Sequence, residues 1–143
     1  MKTGIVKIVS AVLMVTASMS ACKKDDKGPS GFSTEKIAGS YKIAAFTATV
    51  NNTPVDVLDS WDECEKDDIQ VLKSDLTYTS IDAGETCADS GEDEGTWKVE
   101  GTKLTIDGEV FNIDSFEGNQ LKLSGAITIN NNDVPVKVTY VKQ

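Results

Sequence analysis

The chain has 143 residues and a net charge of −9, with 14 lysines, no arginine, 23 acidic residues and no histidine. Phosphate is repelled by a surface of this sign, so nucleic-acid binding is not expected. The lack of histidine excludes Ser-His-Asp triads, histidine-based acid–base catalysis and histidine-ligated zinc. No nucleophile–base pair or metal constellation is visible, so we expect a protein that is not an enzyme and holds no cofactor.

The N-terminus has the pattern of an export signal. Lys2 and Lys7 precede an apolar run at residues 8–17, and this run is too short to span a bilayer. Small residues then lead into Cys22, and this stretch resembles the lipobox of bacterial lipoproteins, with Met19 where that box usually carries Leu. The resemblance implies that residues 1–21 are removed as a signal peptide and that Cys22 carries a diacylglyceryl anchor.

Residues 22–31 are charged and rich in Gly, Pro and Ser, which predicts a flexible tether. Lys23, Lys24, Asp25 and Asp26 resemble the export signal of Bacteroidota lipoproteins. That resemblance implies an outer-membrane protein exposed at the cell surface. The alternative is an ordinary charged spacer, which would leave the protein facing the periplasm.

A domain over residues 32–143 is predicted to begin with a short helix. Ser33 is a suitable N-cap, and Phe32 and Ile37 have the spacing of a hydrophobic staple. Gly39 is expected to end the helix.

The remainder of the domain has the pattern of short antiparallel strands. Apolar residues alternate, as at Leu121 and Leu123, and two-residue turn signals such as Asp107-Gly108 separate the strands. Consecutive hairpins favour an all-β fold with an up-and-down, eight-stranded barrel. The domain is expected to have about eight to nine strands in all. The predicted strands are Tyr41–Val50, Ile69–Leu72, Leu76–Ile81, Gly95–Val99, Lys103–Ile106, Glu109–Phe116, Gln120–Ser124, Ala126–Asn130 and Val134–Val141.

One segment between the first two predicted strands has a different pattern. From Asp56 to Trp61, the apolar residues have helical spacing behind a possible Asp56 cap. This segment is predicted to be a short helix or an ordered loop.

Cys64 and Cys87 remain as an even pair once Cys22 is assigned to the lipid anchor. In an oxidising compartment, such a pair predicts a disulfide. A disulfide that closes a loop of this length would stabilise the fold by roughly 3 kcal/mol in the chain-entropy model. The alternative, a two-cysteine metal site, lacks further soft ligands.

Several segments resemble a known family. Residues 39–41 (GSY) are similar to the Gly-x-Trp that opens the first strand of lipocalins, with Tyr41 in place of Trp. Residues 63–68 (ECEKDD) and 95–99 (GTWKV) resemble the lipocalin-like lipoproteins of Bacteroidota, in which the cysteine before the acidic run pairs with one in a later loop. The resemblance covers about residues 36–143, and it implies a lipocalin-like barrel whose closed end lies near the N-terminal helix.

Four aromatic residues are candidates for ligand contacts: Tyr41, Trp61, Tyr78 and Trp97. Most aromatics of a small β domain belong to its core, and the pattern places Trp97 in the barrel wall. Trp61 differs because it lies between strands, where barrels carry their mouth loops.

Acidic residues surround both cysteines. Asp67, Asp68, Asp89 and Glu92 are candidate ligands for Ca²⁺. However, the second loop does not match an EF-hand, and Lys66 lies among the carboxylates of the first. A solvated acidic rim is the favoured interpretation, so no metal is expected.

Two functions from different classes fit these features. The first is a membrane-anchored, non-catalytic protein that binds a small apolar or amphipathic ligand in the barrel. The alternative is a structural or interaction lipoprotein whose barrel is fully packed and contacts another envelope protein. An empty or absent cavity would favour the second function.

Overall fold

The computed structural model describes residues 31–88 and 93–143. The predicted signal peptide, Cys22 and the export-signal residues 23–26 lie outside the described residues, as do Asp89 and Glu92. The described elements are α1 (Thr34–Ile37), β1 (Gly39–Val50), β2 (Thr53–Asp56), a 3-10 turn (Leu58–Ser60), α2 (Glu63–Lys66), β3 (Ile69–Leu72), β4 (Thr77–Ile81), β5 (Asp93–Glu100), β6 (Lys103–Ile106), β7 (Glu109–Glu117), β8 (Gln120–Ile129) and β9 (Asn132–Lys142). No helix in these two ranges is long and apolar enough to cross a membrane.

The strands form one antiparallel sheet that closes into a barrel. Each strand from β3 onward pairs with the next one along the chain, and β1 pairs with both β3 and β9. Eight strands therefore make a closed up-and-down barrel, and β2 is an extra strand beside β1. The predicted all-β fold with an eight-stranded barrel is confirmed.

β1 closes the barrel because it is long enough to have partners along both edges. Its first residues pair with β3, from Gly39↔Leu72 to Lys42↔Ile69. Its last residues pair with β2 across a two-residue turn. Its other edge pairs with β9 from Tyr41↔Lys142 onward, with a shift in register between Ile43 and Ala45.

The up-and-down order places the connections at two ends of the barrel. The β3–β4, β5–β6 and β7–β8 turns share one end with α1, because Phe32 N donates a hydrogen bond to Gly101 O in the β5–β6 turn at 2.8 Å. The β1–β3 and β4–β5 connections and the β6–β7 and β8–β9 turns lie at the opposite end. The end that contains α1 is called the closed end, and the opposite end is called the mouth.

The barrel interior follows the alternation of the strands. Leu104, Leu121 and Leu123 are at most 2% exposed, and so is Trp97 on β5. These side chains point inward because each strand alternates between an inner and an outer face. The core lies in the half of the barrel nearer α1, where Ile37 joins it from the helix.

Tyr41 and Lys142 fasten α1 to the closed end. The Tyr41 hydroxyl donates to Ile37 O, and Lys142 Nζ donates to Ala38 O at 2.6 Å. The same ammonium lies 5.7 Å from the ring centre of Tyr41 and 5.6 Å from that of Phe116. It thus combines cation–π contacts with hydrogen bonds to the last carbonyls of the helix.

The predicted start of the helix agrees with the structure. The Ser33 hydroxyl accepts a hydrogen bond from Lys36 N at 3.3 Å. Phe32 packs against the core cluster that contains Ile37. Ala38 caps the C-terminus, and β1 begins immediately afterwards at Gly39.

One predicted break is wrong. Gln120–Ser124 and Ala126–Asn130 form a single strand, β8, because Gly125 stays in the ladder opposite Val136. A Cβ at Gly125 would lie 2.7 Å from Phe111 Cδ1. The glycine therefore makes room for an aromatic ring and does not end the strand.

The segment between β1 and β3 contains two elements that were not predicted, β2 and α2. Only the 3-10 turn lies in the segment predicted to be a short helix or an ordered loop. The carboxylate of Asp56 accepts from Leu58 N at 2.9 Å, which begins that turn. Sequence patterns detect such elements poorly because β2 and α2 are each four residues long and lack a periodic apolar face.

Lys142→Met tests the attachment of α1. Methionine keeps an apolar stem but removes the ammonium, so the free energy of unfolding should fall by about 1–2 kcal/mol. Urea denaturation measures this change. Lys122→Met is the matched control, because Lys122 on β8 is exposed; equal losses in the two variants would contradict the proposed attachment.

Candidate ligand-binding cavity

The barrel holds a cavity of about 310 Å³ between its core and its mouth. Its lower wall is apolar, formed by Leu72, Leu104, Leu121 and Leu123 from the three strands β3, β6 and β8. This volume is near the lower end of the range of roughly 300–1,000 Å³ typical of small-molecule sites. The aromatic and polar residues that complete the lining are Tyr41, Gln70, Tyr78, Asp107, Glu109, Phe111 and Tyr140, together with Ile106.

Polar side chains form a hydrogen-bonded chain on one wall of this cavity. The Tyr78 hydroxyl donates to Gln70 Oε1 at 2.5 Å, and Gln70 Nε2 donates to Ser80 Oγ at 2.8 Å. Burial raises the pKa of Tyr78, and the nearby carboxylates of Asp107, Asp93 and Asp68 raise it further. Tyr78 is therefore protonated at neutral pH, and its only hydroxyl hydrogen is committed to Gln70.

Tyr140 lines the same cavity, and its hydroxyl differs from that of Tyr78 in its hydrogen bonding. Within the described residues its hydroxyl has no hydrogen-bond partner, and its ring packs edge-on to Tyr41 with centroids 6.3 Å apart. Burial raises the pKa of Tyr140 to about 12, and Tyr78 contributes a smaller increase. This phenol is therefore neutral at physiological pH and offers a hydrogen-bond donor to a ligand.

A smaller cavity of about 180 Å³ lies beside the first and shares Gln70 and Tyr140 with it. Trp61, Glu65 and Asp68 line it from the β1–β3 connection. The Trp61 ring is held edge-on against Phe46 at 5.9 Å. The two cavities thus flank a shared wall near the mouth.

The acidic run after Cys64 has a local structural role. Glu65 Oε2 accepts from Asp62 N at 2.8 Å, which completes the capping box of α2. Asp67 Oδ2 accepts from Glu85 N at 2.9 Å in the β4–β5 connection. Asp68 accepts from the backbone of Ala83 in the same connection. These carboxylates therefore bind two mouth segments together through backbone N–H groups.

The predicted disulfide joins the same two segments. Cys64 on α2 is bonded to Cys87, with Cα atoms 5.4 Å apart. This separation is ordinary for a disulfide. The disulfide prediction is confirmed.

The described acidic residues near the disulfide do not form a recognisable metal centre. In residues 31–88 and 93–143, no group of three or more Asp, Glu or Cys side chains is arranged to hold a metal ion. Asp89 and Glu92, the other two candidate calcium ligands, lie outside these ranges. Asp67 and Asp68 are explained by their hydrogen bonds to the β4–β5 connection.

The β6–β7 turn brings two more carboxylates to the mouth. Asp107 and Gly108 form a two-residue turn with φ angles of 49° and 87°, as a type I′ hairpin requires. Asp107 Oδ1 accepts from Thr96 N at 2.8 Å. A Cβ at Gly95 would overlap this carboxylate, which explains the glycine in the Gly-Thr-Trp motif.

The four aromatic candidates are found in different environments. Tyr41 and Tyr78 line the larger cavity and Trp61 lines the smaller one. Trp97 lines neither of them, because it is 2% exposed in the core and its Nε1 donates to Lys73 O at 2.8 Å. That position agrees with the barrel-wall alternative for Trp97.

Gln70 and Tyr140 are not among the predicted site residues, although both line both cavities. The alternation that places Val136 and Val138 inward extends to Tyr140 on the same strand. The same rule applied to β3 places Gln70 on the side of Leu72. A polar residue at an inward position was therefore the available signal.

Comparison with known proteins agrees with this geometry. A family model described as a lipocalin-like domain matches residues 37–123, which is more than half of the chain. The chain therefore belongs to the lipocalin-like domain family, whose members are in general non-catalytic binding proteins. No curated protein and no solved structure matches the chain.

The contribution of the disulfide is measurable in a Cys64→Ala/Cys87→Ala double variant. Loss of the cross-link should lower the free energy of unfolding by roughly 3 kcal/mol, because the unfolded chain regains the entropy of an open loop. Urea denaturation with and without a phosphine reductant provides the measurement. Reductant should reproduce the loss in the wild type and leave the double variant unaffected; a wild type insensitive to reductant would refute this prediction.

Proposed function

We propose that this protein binds a small apolar or amphipathic molecule inside its barrel and performs no catalysis. The cavity of about 310 Å³ carries this proposal, since an apolar wall is combined with a few polar groups. Apolar burial would supply affinity, and Tyr140 with the Tyr78–Gln70 pair would supply orientation. Membership of the lipocalin-like family supports ligand binding in general.

The alternative function required a fully packed barrel, and the cavity does not meet that requirement. Contact with an envelope protein through the loops stays a prediction. We favour ligand binding because an unfilled, partly apolar cavity is unnecessary for a purely structural barrel.

We further propose that Cys22 carries a diacyl anchor and that the protein is attached to the outer membrane, facing the cell surface. Two acyl chains suffice for lasting membrane attachment. The tether after Cys22 would span at most about 30 Å at roughly 3.3–3.6 Å per residue. Because Phe32 is bonded to the closed end, this arrangement would turn the mouth away from the membrane and towards incoming ligand.

Filling the cavity should abolish ligand binding. Ile106 lines the cavity, whereas Val110 on the next strand is 51% exposed on the outside. Ile106→Trp should weaken binding of the neutral apolar dye N-phenyl-1-naphthylamine at least tenfold, and Val110→Trp should leave it unchanged. Fluorescence titration measures the affinity, and native mass spectrometry before and after organic extraction detects a carried ligand. Absence of both dye binding and an extractable adduct would contradict the proposal.

Lipidation is tested by Cys22→Ala in cells. This change removes the thiol that would be acylated, so an unlipidated precursor should accumulate and metabolic labelling with a fatty acid should be lost. Ser20→Ala provides a nearby control that keeps the cysteine and should mature normally. Protease treatment of intact cells then distinguishes the surface from the periplasmic face. Normal maturation of the Cys22→Ala variant would disprove the anchor.

A further inference from the structure

We propose that the barrel selects neutral or cationic ligands and rejects anionic ones, with a hydrogen-bond acceptor of the ligand meeting Tyr140. This inference rests on the proposed ligand binding and names the chemical class of the ligand. It is carried by the charges around the two cavities, by an unpartnered buried carboxylate oxygen and by the free Tyr140 hydroxyl.

The charged residues that line the two cavities are all acidic. Asp107 and Glu109 line the larger cavity, and Glu65 and Asp68 line the smaller one. No lysine lines either cavity, and the chain has no arginine or histidine to supply a positive charge. A ligand carboxylate or sulfonate would therefore enter a region of uniformly negative potential that a narrow cleft intensifies.

The protein does not neutralise these charges itself. In the described part of the chain, the ion pairs are Lys66 with Glu63 and Lys98 with Glu100, neither of which involves a cavity-lining carboxylate. The carboxylate of Glu109 has no hydrogen bond or ion pair among the described residues. Its charge is therefore available to a ligand at the mouth.

Asp68 provides a second and independent observation. Its Oδ1 atom is shielded from solvent and has no hydrogen-bond partner among the described residues, although the side chain lines the smaller cavity. Burial raises the pKa of Asp68, and the adjacent acidic groups Asp82, Asp67 and Glu65 raise it further. A poorly solvated carboxylate in this position would gain from an ammonium group on a ligand.

An aromatic ring lines the same cavity as this carboxylate. Trp61 lines the smaller cavity with Glu65 and Asp68, and Phe46 holds its ring in place. Tryptophan is the best aromatic partner for a cation. A cationic end would therefore fit the smaller cavity while an apolar body occupies the larger one.

Tyr140 lies where the two cavities meet, and its hydroxyl defines a polar contact for the middle of such a ligand. It lines both cavities, it is protonated at neutral pH, and its hydroxyl has no partner in the described residues. A phenol in this state donates, so the matching ligand atom is an acceptor such as a hydroxyl or carbonyl oxygen. Gln70 shares the position but already bonds to Tyr78 and Ser80.

A probe series with one apolar body tests the charge preference. The probes are 2-(2-naphthyl)ethylamine, 2-(2-naphthyl)ethanol and 2-naphthylacetic acid, measured by displacement of N-phenyl-1-naphthylamine from the purified full chain. We expect the acid to bind at least tenfold more weakly than the alcohol, and the amine to bind at least as tightly as the alcohol. An acid that binds as tightly as the alcohol would overturn the inference and leave the proposed binding function intact.

Charge removal at one residue gives a sharper comparison. Glu109→Gln should strengthen binding of the acid at least threefold and leave the alcohol unchanged. Glu117→Gln, at the opposite end of β7, is the matched control and should change neither. If the two variants changed binding of the acid equally, the effect would come from the net charge of the protein. That result would overturn the assignment of the charge selection to Glu109 at the mouth.

The Tyr140 contact is tested by Tyr140→Phe. Loss of the hydroxyl should weaken binding of the alcohol at least threefold. It should leave binding of 2-ethylnaphthalene, which has no hydrogen-bond acceptor, unchanged. An equal loss for both probes would overturn the hydrogen bond, because it would reflect altered packing. If N-phenyl-1-naphthylamine fails to bind and no extractable adduct is found, the proposed binding function fails and this inference fails with it.

Discussion

The double pairing of β1 is the constraint on which the rest of the molecule depends. Twelve residues of one strand bond to β3 and β2 along one edge and to β9 along the other. This closure leaves the eight barrel strands without a free edge and sets the width of the barrel, because strand number and diameter are linked. The irregularity between Ile43 and Ala45 lets the strand bend where it changes partners on that first edge. A closed barrel of eight strands has an interior that side chains can fill or leave partly open.

The interior is filled by side chains at the closed end of this barrel and is left partly open towards the mouth. At the closed end, Trp97, Tyr41 and Ile37 are almost completely buried, and Lys142 joins the strand to the helix that covers them. Towards the mouth, the inward positions carry Gln70 and Tyr140, and the side chains that line the cavity with them leave it unfilled. The cavity therefore follows from the residue types at the upper inward positions, and the closed-end packing supports it from below. Stability and binding are assigned to opposite ends of the same strands.

Much of this fold was predictable because its signals are local. Alternation at Leu121 and Leu123, or a turn such as Asp107-Gly108, depends on neighbours in sequence. The single strand through Gly125 was not predictable, since the reason is the ring of Phe111 on another strand. The hydrogen bond from Lys142 to Ala38 spans 104 residues and has no local signal. The candidate site shares this difficulty: Gln70 and Tyr140 come together only when β9 closes onto β1, which is why individual aromatic residues were easier to nominate than the site as a whole.

The acidic mouth carries an energetic cost that ordinary solubility does not explain. The raised pKa of Asp68 means that the folded state binds its proton more tightly than the unfolded state does. Its favourable contribution to stability is therefore present at low pH and is lost as the pH rises above the ordinary value of 3.8 and through the folded-state pKa. At neutral pH the charge of Asp68 opposes folding, and the backbone hydrogen bond from Ala83 and the Cys64–Cys87 disulfide hold the two mouth segments together against this cost. A solubilising charge would be better placed on the open surface, where water stabilises it. Holding such a charge beside Trp61 and the cavity is consistent with a role in choosing what enters the barrel.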